Sequence, residues 1–155
     1  MLTTGAARAP IEFNLSRRFS ESLMVGVEYM PRDNRISPTW NYRLIERTDS
    51  RPAVAVGQGT AWPSGKVTGS AYSLTVADSI GAGISAYISA SYAPDQSLWQ
   101  IPAGLNWRFD EDWSTRLMWD GENLHPFLSY SLPDWDLGLL LLDQRYPTLA
   151  ASFSF

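Results

Sequence analysis

The amino-acid sequence alternates between apolar and small polar residues in short runs, which is the period of a β-strand. The clearest run extends from Ile80 to Tyr92, where every second residue is Ile, Ala or Tyr and the residues between are Gly, Ser or Tyr. The run from Trp99 to Phe109 has the same pattern. Successive side chains of a strand point to opposite faces, whereas a helix would mix the two sets, so both runs are predicted to be strands. Weaker alternation predicts further strands at 11–18, 23–29, 40–44, 51–59, 72–76, 113–119, 124–132, 137–141 and 149–155.

Short polar segments rich in Pro, Gly, Asp and Ser separate these runs and are predicted to be turns. They are Ser20-Glu21, Pro31 to Pro38, Asp49-Ser50, Trp62 to Gly65, Asp78-Ser79, Pro94 to Gln96, Asp110-Glu111, Gly121-Glu122, Pro133-Asp134 and Tyr146-Pro147. They divide the chain into about eleven strands and leave almost no residue for a helix. The 155 residues are therefore predicted to form one all-β domain, and the short connections favour an up-and-down sheet that closes on itself.

The two faces of the best predicted strands differ in a way that is unusual for a water-soluble sheet. One face carries bulky aliphatic and aromatic side chains, and the other carries mainly Ser, Gly, Thr, Asn and Gln. A soluble barrel or sandwich would need many charged residues on its outer face. The pattern instead favours a barrel in lipid, with an apolar band outside and a small, polar interior. We predict an antiparallel up-and-down transmembrane β-barrel of about 10–12 strands; a small soluble lipocalin-like β-barrel is the alternative.

Composition removes several functional classes. Charged residues make up 18% of the chain, the net charge is −4, and there is no cysteine. The chain can therefore hold neither a disulfide nor a thiolate metal site, and without a Lys/Arg cluster it offers no basic surface to nucleic acid. The longest apolar stretch, Leu137 to Leu142, is far shorter than the roughly 20 residues of a transmembrane helix. Met1 to Pro10 lacks the apolar core of a secretory signal, so we expect any such signal to have been removed or to lie elsewhere.

The last predicted strand ends on an aromatic residue, because Leu149, Ala151, Phe153 and Phe155 alternate with Ala and Ser. This segment resembles the C-terminal assembly signal of Gram-negative outer-membrane β-barrel proteins of the porin-like kind. The resemblance implies a location in the bacterial outer membrane, contact with outer-membrane lipid and recognition by the barrel-assembly machinery. The segment RLMWDGENLHPFLSY, from Arg116 to Tyr130, resembles the Asp-Gly hairpin in the C-terminal barrel of YjbH-type envelope proteins.

The order of the connections predicts that further strands complete this barrel. Outer-membrane barrels have short periplasmic turns and longer outer loops, and their C-terminal strand runs towards the periplasm. Counting back from Phe155, the turns assigned to the outside are mostly the longer ones, and the first strand, Ile11 to Arg18, also runs towards the periplasm. Bacterial single-chain barrels have an even number of strands. We therefore expect extra strands from upstream sequence or from a second chain, which would make the domain of residues 1–155 part of a larger barrel.

The alternation assigns side chains to the two sides of the predicted barrel wall. Those expected to face lipid are Ile80, Ile84, Ile88, Trp99, Ile101, Leu105 and Trp107. Those expected to line the lumen are Glu12, Glu28, Arg43, Gln100, Asn106, Arg108, Arg116 and Asp120. Charged side chains are tolerated at membrane depth only where they meet water or one another, so the second set is the candidate functional surface.

Catalytic chemistry finds little support in the sequence. His125, the only histidine, is predicted to be a solvated histidine of the lumen or the rim. Ser129, His125 and Asp120 contain the residue types of a catalytic triad, but Ser129 lies four residues along the same strand, about 13 Å away and beyond hydrogen-bond distance. We therefore predict no enzymatic activity. One histidine without cysteine argues against a transition-metal site, the acidic triplet Asp110 to Asp112 is predicted to be a solvated turn, and no cofactor is expected.

Two functions from different classes follow for a barrel in lipid. The first is a passive channel for small solutes, in which the charged residues of the lumen bias which solutes pass. The second is a structural or anchoring barrel whose lumen is plugged by side chains. Strand number separates the two, because about 8–10 strands leave a nearly filled interior and about 16 or more leave an aqueous channel. A larger barrel therefore favours the channel.

Overall fold

A computed structural model describes residues 13–31, 34–60 and 69–153, and its regular structure is almost entirely β. The strands are β1 (Phe13–Arg18), β2 (Leu23–Met30), β3 (Arg35–Ile45), β4 (Ala53–Thr60), β5 (Ser70–Gly81), β6 (Ile84–Ala93), β7 (Leu98–Gln100), β8 (Ala103–Arg108), β9 (Trp113–Trp119), β10 (Leu124–Ser131), β11 (Trp135–Leu142) and β12 (Tyr146–Phe153). A 3-10 turn, Pro94–Gln96, joins β6 to β7. No helix among these residues is long and apolar enough to cross a membrane. The predicted all-β fold is confirmed.

The strands form one antiparallel up-and-down sheet, in which each strand pairs with its neighbours in the sequence. β7 and β8 both pair with β6 in one continuous register, Ser91 with Gln100 and Ile88 with Ala103. They are two parts of one strand, interrupted at Pro102. This proline has no N–H to donate, but its carbonyl accepts a hydrogen bond of 2.8 Å from the backbone N–H of Ser89. The twelve strands therefore occupy eleven positions across the sheet.

The described sheet is open, and β1 and β12 are its two edges. β1 is hydrogen-bonded only to β2, and β12 only to β11, within the described residues. Because all neighbours are antiparallel and the positions number eleven, β1 and β12 run in the same direction. They could not join each other in an all-antiparallel barrel. This agrees with the expectation that the first strand of the chain does not pair with the last.

The turn predicted at Asp78-Ser79 is wrong, because the run Ile80 to Tyr92 contains the end of β5, a turn and most of β6. β5 and β6 meet in a turn at Ala82 and Gly83, not at Asp78-Ser79. Gly83 has a φ angle of +70°, which glycine adopts without steric cost. Both strands of this hairpin present apolar residues to the same face. A register shift between Ser79 and Gly81 keeps the even-numbered residues of both strands on that face, so the alternation continues through the turn and the period alone does not reveal the reversal.

Two prolines predicted to lie in turns are found within strands, Pro38 in β3 and Pro147 in β12. A strand accepts proline where the ladder needs no N–H on that side. The described β3–β4 ladder begins only at Trp40, and β12 is an edge strand. The turn before β12 is made instead by Asp143 and Gln144, whose φ angles are +51° and +58°, as both central residues of a type I′ hairpin turn require.

The turns divide between two ends of the sheet. We call the lower end the one with the turns β1–β2, β3–β4, β5–β6, β8–β9 and β10–β11, and the upper end the one with the others. The connections between β2 and β3 and between β4 and β5 contain the undescribed residues 32–33 and 61–68, and the second of these includes the predicted turn Trp62 to Gly65. The other turns, at both ends, are short. The predicted difference in length between the two sets is therefore not a feature of the described turns.

The sheet exposes its apolar side and buries much of its polar side. Among the described residues, 31 large hydrophobic side chains are exposed and only five hydrophobic residues are buried. The buried polar residues are Glu28, Ser37, Ser89, Ser91, Asp120 and His125. We call the side that carries Leu74, Val76 and Ile88 the apolar face, and the side that carries Ser73, Thr75 and Ser89 the polar face. Soluble β-proteins bury the apolar face instead.

Candidate functional site

Most of the residues predicted to line a lumen lie on the polar face. Glu28 is buried, and its carboxylate accepts a hydrogen bond from the hydroxyl of Thr60. Arg43 donates a hydrogen bond of 2.7 Å to the backbone carbonyl of Glu21, and its guanidinium lies 3.7 Å from the carboxylate of Glu46. The other described members are Gln100 on β7, Asn106 and Arg108 on β8, Arg116 on β9 and Asp120 directly after β9. These residues share one side of the wall but are spread along it.

The residues predicted to face lipid lie together on the apolar face. Ile80, Ile88, Trp99, Ile101, Leu105 and Trp107 are exposed, and Ile84 is half-buried. Aromatic side chains pack in pairs at both ends of this face. At the upper end the pairs are Phe13–Tyr29 and Tyr92–Trp99, and at the lower end Trp107–Phe109, Trp113–Tyr130 and Trp135–Phe153. An aliphatic band between two aromatic borders results.

The predicted assembly signal falls on β12, the edge strand. Leu149, Ala151 and Phe153 are exposed there, and the ring centre of Phe153 lies 4.9 Å from that of Trp135 on β11. Phe155, the fourth residue of the signal, and Glu12, the first of the predicted lumen residues, lie outside the described residues.

A cleft of about 300 Å³ opens over β1 to β5. Its lining includes the polar side chains Asn14, Ser16, Glu28, Thr39, Asn41 and Ser73. At its base, Gly26 leaves no room for a larger residue, because a Cβ atom there would lie 2.8 Å from the side chains of both Ser16 and Thr39. By contrast, a Cβ atom on Gly59 would have no heavy atom within 4 Å. The cleft thus offers uncharged hydrogen-bonding groups around a single carboxylate.

From β6 to β10 the polar face carries hydroxyl groups and two arginines. The hydroxyls of Ser114 and Ser129 lie 2.7 Å apart. The Nε of Arg116 donates a hydrogen bond to the side-chain oxygen of Asn106, and its guanidinium lies 5.9 Å from the ring centre of Phe127. Arg108 on β8 is exposed near the lower end. This region concentrates donors of hydrogen bonds.

His125 is enclosed at the upper end by two turns. Its Nε2 lies 3.0 Å from a carboxylate oxygen of Asp120, and its Nδ1 accepts a hydrogen bond of 3.0 Å from the backbone N–H of Asp143. The other oxygen of Asp120 accepts hydrogen bonds of 2.7 Å from the backbone N–H groups of Glu122 and Asn123. The side chains of His125 and Asp120 have no exposed surface. The cluster therefore ties the β9–β10 turn to the β11–β12 turn, and the prediction of a solvated histidine is wrong.

Both ring nitrogens of His125 are occupied, and this limits its chemistry. Because Nδ1 accepts a hydrogen bond, the proton of the neutral ring is on Nε2, which donates to Asp120. No ring nitrogen is left to act as a base on a substrate. Asp143, His125 and Asp120 are also a geometrically possible set of three metal ligands. A metal ion would bind one ring nitrogen and break the hydrogen bond that this nitrogen makes, so the arrangement favours a structural role.

Asp120 stays ionised in this cluster. Burial by itself would raise the pKa of its carboxyl, but the hydrogen bonds from His125 and from the backbone N–H groups of Asn123 and Glu122 lower the pKa below its ordinary value. A buried carboxylate that accepts several hydrogen bonds is stabilised in its charged form.

Sequence reasoning did not find Asp143, the third member of this cluster. Asp143 is 18 residues from His125, and only the pairing of β10 with β11 brings the two together. The available signal was weak: a polar Asp-Gln pair directly after the apolar run Leu137 to Leu142, where a chain reversal is expected.

Comparisons of this chain with protein-family models, with curated proteins and with solved structures return no match.

Proposed function

We propose that this chain forms part of the wall of a transmembrane β-barrel in the outer membrane of a Gram-negative bacterium, and that the barrel is a passive channel for small solutes. The observation that supports the proposal is the inverted distribution of side chains, because 31 large hydrophobic residues are exposed and only five hydrophobic residues are buried among the described residues. In water, an apolar face of this size would be an aggregation surface. In a bilayer it would contact lipid, and the aromatic pairs at its two ends would lie at the membrane interfaces.

Closure of the barrel requires strands beyond the twelve described. An open strand edge in lipid leaves N–H and C=O groups unsatisfied, at several kcal/mol for each group. Since β1 and β12 run in the same direction, an odd number of additional strands is needed for all-antiparallel closure. A second copy of the same eleven positions, inserted in the same orientation, would meet the first only through parallel strands. The additional strands therefore belong to a different segment, upstream in the same polypeptide or in another chain.

The proposed closure favours a channel over a plugged barrel. Eleven positions plus an odd number give at least twelve, more than the roughly 8–10 strands that leave a nearly filled interior, and each further pair of strands brings the barrel closer to the roughly 16 that leave an aqueous channel. Most side chains of the polar face are small, as in the row of Ser73, Thr75 and Ser89. A second candidate function is a structural or anchoring barrel. It is favoured by the larger side chains of β10 and β11 on the polar face, where Phe127 covers Gly138.

The proposal is tested on the complete barrel, purified from its native membrane through a tag on this chain together with any upstream segment or partner chain that completes the wall. The purified barrel is reconstituted in phospholipid vesicles, and sugar uptake and single-channel conductance are measured. We expect stepwise conductance and uptake rates that fall with solute size. Gly59→Trp should reduce conductance, because the space above Gly59 is free and the indole would enter the lumen. Val56→Trp adds the same ring on the apolar face and serves as the matched control.

Three outcomes would count against the proposal in different ways. A chain that does not associate with vesicles would refute the membrane assignment and favour the soluble lipocalin-like alternative. A complete barrel that inserts but conducts no ions would favour the anchoring role. A channel that is narrowed by Val56→Trp and not by Gly59→Trp would reverse the assignment of the two faces.

A further inference from the structure

We propose that Arg108 and Arg116 form a binding site for small oxyanions on the polar face, and that the proposed channel therefore favours anionic solutes. The second half of this inference rests on the proposed function. The first half does not, because the site can be tested without a pore.

The two arginines are neighbours on adjacent strands. Asn106 pairs with Arg116, and Arg108 pairs with Ser114, in the antiparallel register of β8 and β9. Arg108 and Arg116 are thus diagonal neighbours on one face, with Cα atoms about 7–8 Å apart. Ser114 lies opposite Arg108 and two residues before Arg116 on the same face. Side chains as long as arginine can bring both guanidinium groups and the serine hydroxyl to one bound anion.

Arg116 is held in place by its surroundings. Its Nε donates a hydrogen bond to the side-chain oxygen of Asn106, and its guanidinium lies over the ring of Phe127 at 5.9 Å from the ring centre. The amide nitrogen of Asn106 is in turn 3.5 Å from the hydroxyl of Ser85. These contacts use one nitrogen of the guanidinium and leave the two terminal NH₂ groups for a ligand. A planar guanidinium that is already oriented suits two-point binding of a carboxylate or a phosphate.

The charge of this site is not neutralised by side chains of the surrounding strands. On the polar face of β6, β8, β9 and β10, which are described in full, there are two arginines and no carboxylate. Neither guanidinium makes an ion pair with a described residue, whereas Arg35 and Arg43 each lie 3.7 Å from a carboxylate. On β11, Asp136 accepts hydrogen bonds from Ser131 and Ser152.

The acidic turn Asp110 to Asp112 lies beyond the end of β8, outside the strands that form the site. It adds negative charge at the lower end of the sheet, where it would oppose an anion preference of the channel. The measured ion selectivity therefore shows whether the two arginines or the acidic turn has the larger effect. A preference for cations would mean that the acidic turn determines the selectivity.

The site is tested first on the same purified barrel in detergent micelles, with inorganic phosphate as the probe and ³¹P line broadening as the readout. We expect Arg108→Gln and Arg116→Gln each to weaken phosphate binding about tenfold, since each removes a charge-assisted hydrogen-bond donor. Arg145→Gln removes the same charge in the β11–β12 turn and should leave binding unchanged. Equal binding by the wild type and the double variant would overturn the site.

The transport half is tested by the reversal potential of the reconstituted channel in a KCl gradient. We expect the wild type to prefer chloride over potassium, and the double variant to lose this preference while Arg145→Gln keeps it. A wild type that conducts without preferring anions would refute the inferred preference for anionic solutes but not the proposed channel. Absence of conductance would refute the proposed function, while the phosphate measurement would still decide the site.

Discussion

Replacing one residue of the apolar face by arginine tests the assignment of the two faces most directly. Leu74 lies in β5, in the interior of the sheet, and its exposed side chain continues the row formed by Tyr42 and Val56. Its neighbour Ser73 lies on the polar face and lines the cleft over β1 to β5. We compare Leu74→Arg with Ser73→Arg, two changes that add the same side chain one residue apart but on opposite faces.

The expected difference follows from the solvent on each side. An arginine that faces lipid near the midplane of a bilayer costs about 2–4 kcal/mol, which corresponds to roughly a 30- to 700-fold loss in the folding equilibrium constant. An arginine at Ser73 would extend into a cleft of about 300 Å³ that contains water in the proposed channel, and would cost much less. If the apolar face were in water, Leu74→Arg would change stability by less than about 0.5 kcal/mol.

The assay is equilibrium unfolding by urea in phospholipid vesicles, followed by the fluorescence of the 7 tryptophans. We expect the midpoint to fall clearly for Leu74→Arg and only slightly for Ser73→Arg. If Ser73→Arg is the more damaging substitution, the polar face is the packed interior of the protein. The assignment of the apolar face to lipid and of the polar face to a lumen would then be wrong. Equal small effects would show that neither face contacts lipid.

Three further predictions concern packing, pH and assembly. Gly104→Ala should destabilise the sheet by about 1–3 kcal/mol, because a Cβ atom there would lie 2.7 Å from the Cζ of Tyr87; combining it with Tyr87→Ser should restore much of the loss in the same unfolding assay. Because the pKa of Asp120 is lowered in the folded protein, the ionised carboxylate stabilises the fold above the ordinary carboxyl pKa, and this contribution is lost as the pH falls through the pKa of the folded state. Asp120→Asn should therefore reduce the loss of stability at acid pH, measured as unfolding midpoints over a pH series. An unchanged pH dependence would contradict this prediction. Deleting Phe155 should slow insertion by reconstituted barrel-assembly machinery and leave the final unfolding midpoint nearly unchanged, whereas insertion at the normal rate would count against the assembly signal.

The local pattern determined most of the strands and the side of the sheet on which each residue lies. Ile88 and Leu105 could be assigned to the apolar face, and Ser89 and Asn106 to the polar face, because a strand has a strict period of two. The reversal at Ala82 and Gly83 could not be found in this way, since a register shift between Ser79 and Gly81 keeps the even-numbered residues of both strands on the same face. Pro147 gave a false signal, because the edge position that accepts a proline is decided by pairing and not by the residue.

Tertiary structure decided what depends on contacts between distant segments. The hydrogen bonds of His125 with Asp120 and Asp143 join two turns that only strand pairing brings together, and they bury a histidine that the sequence alone places in solvent. The tertiary structure also decided that the sheet is open. β1 and β12 run in the same direction only because β7 and β8 occupy one position of the sheet. Alternation is a property of a single strand and can be read along the chain, whereas neighbours across the sheet are set by register and strand order, which the chain's local pattern does not encode.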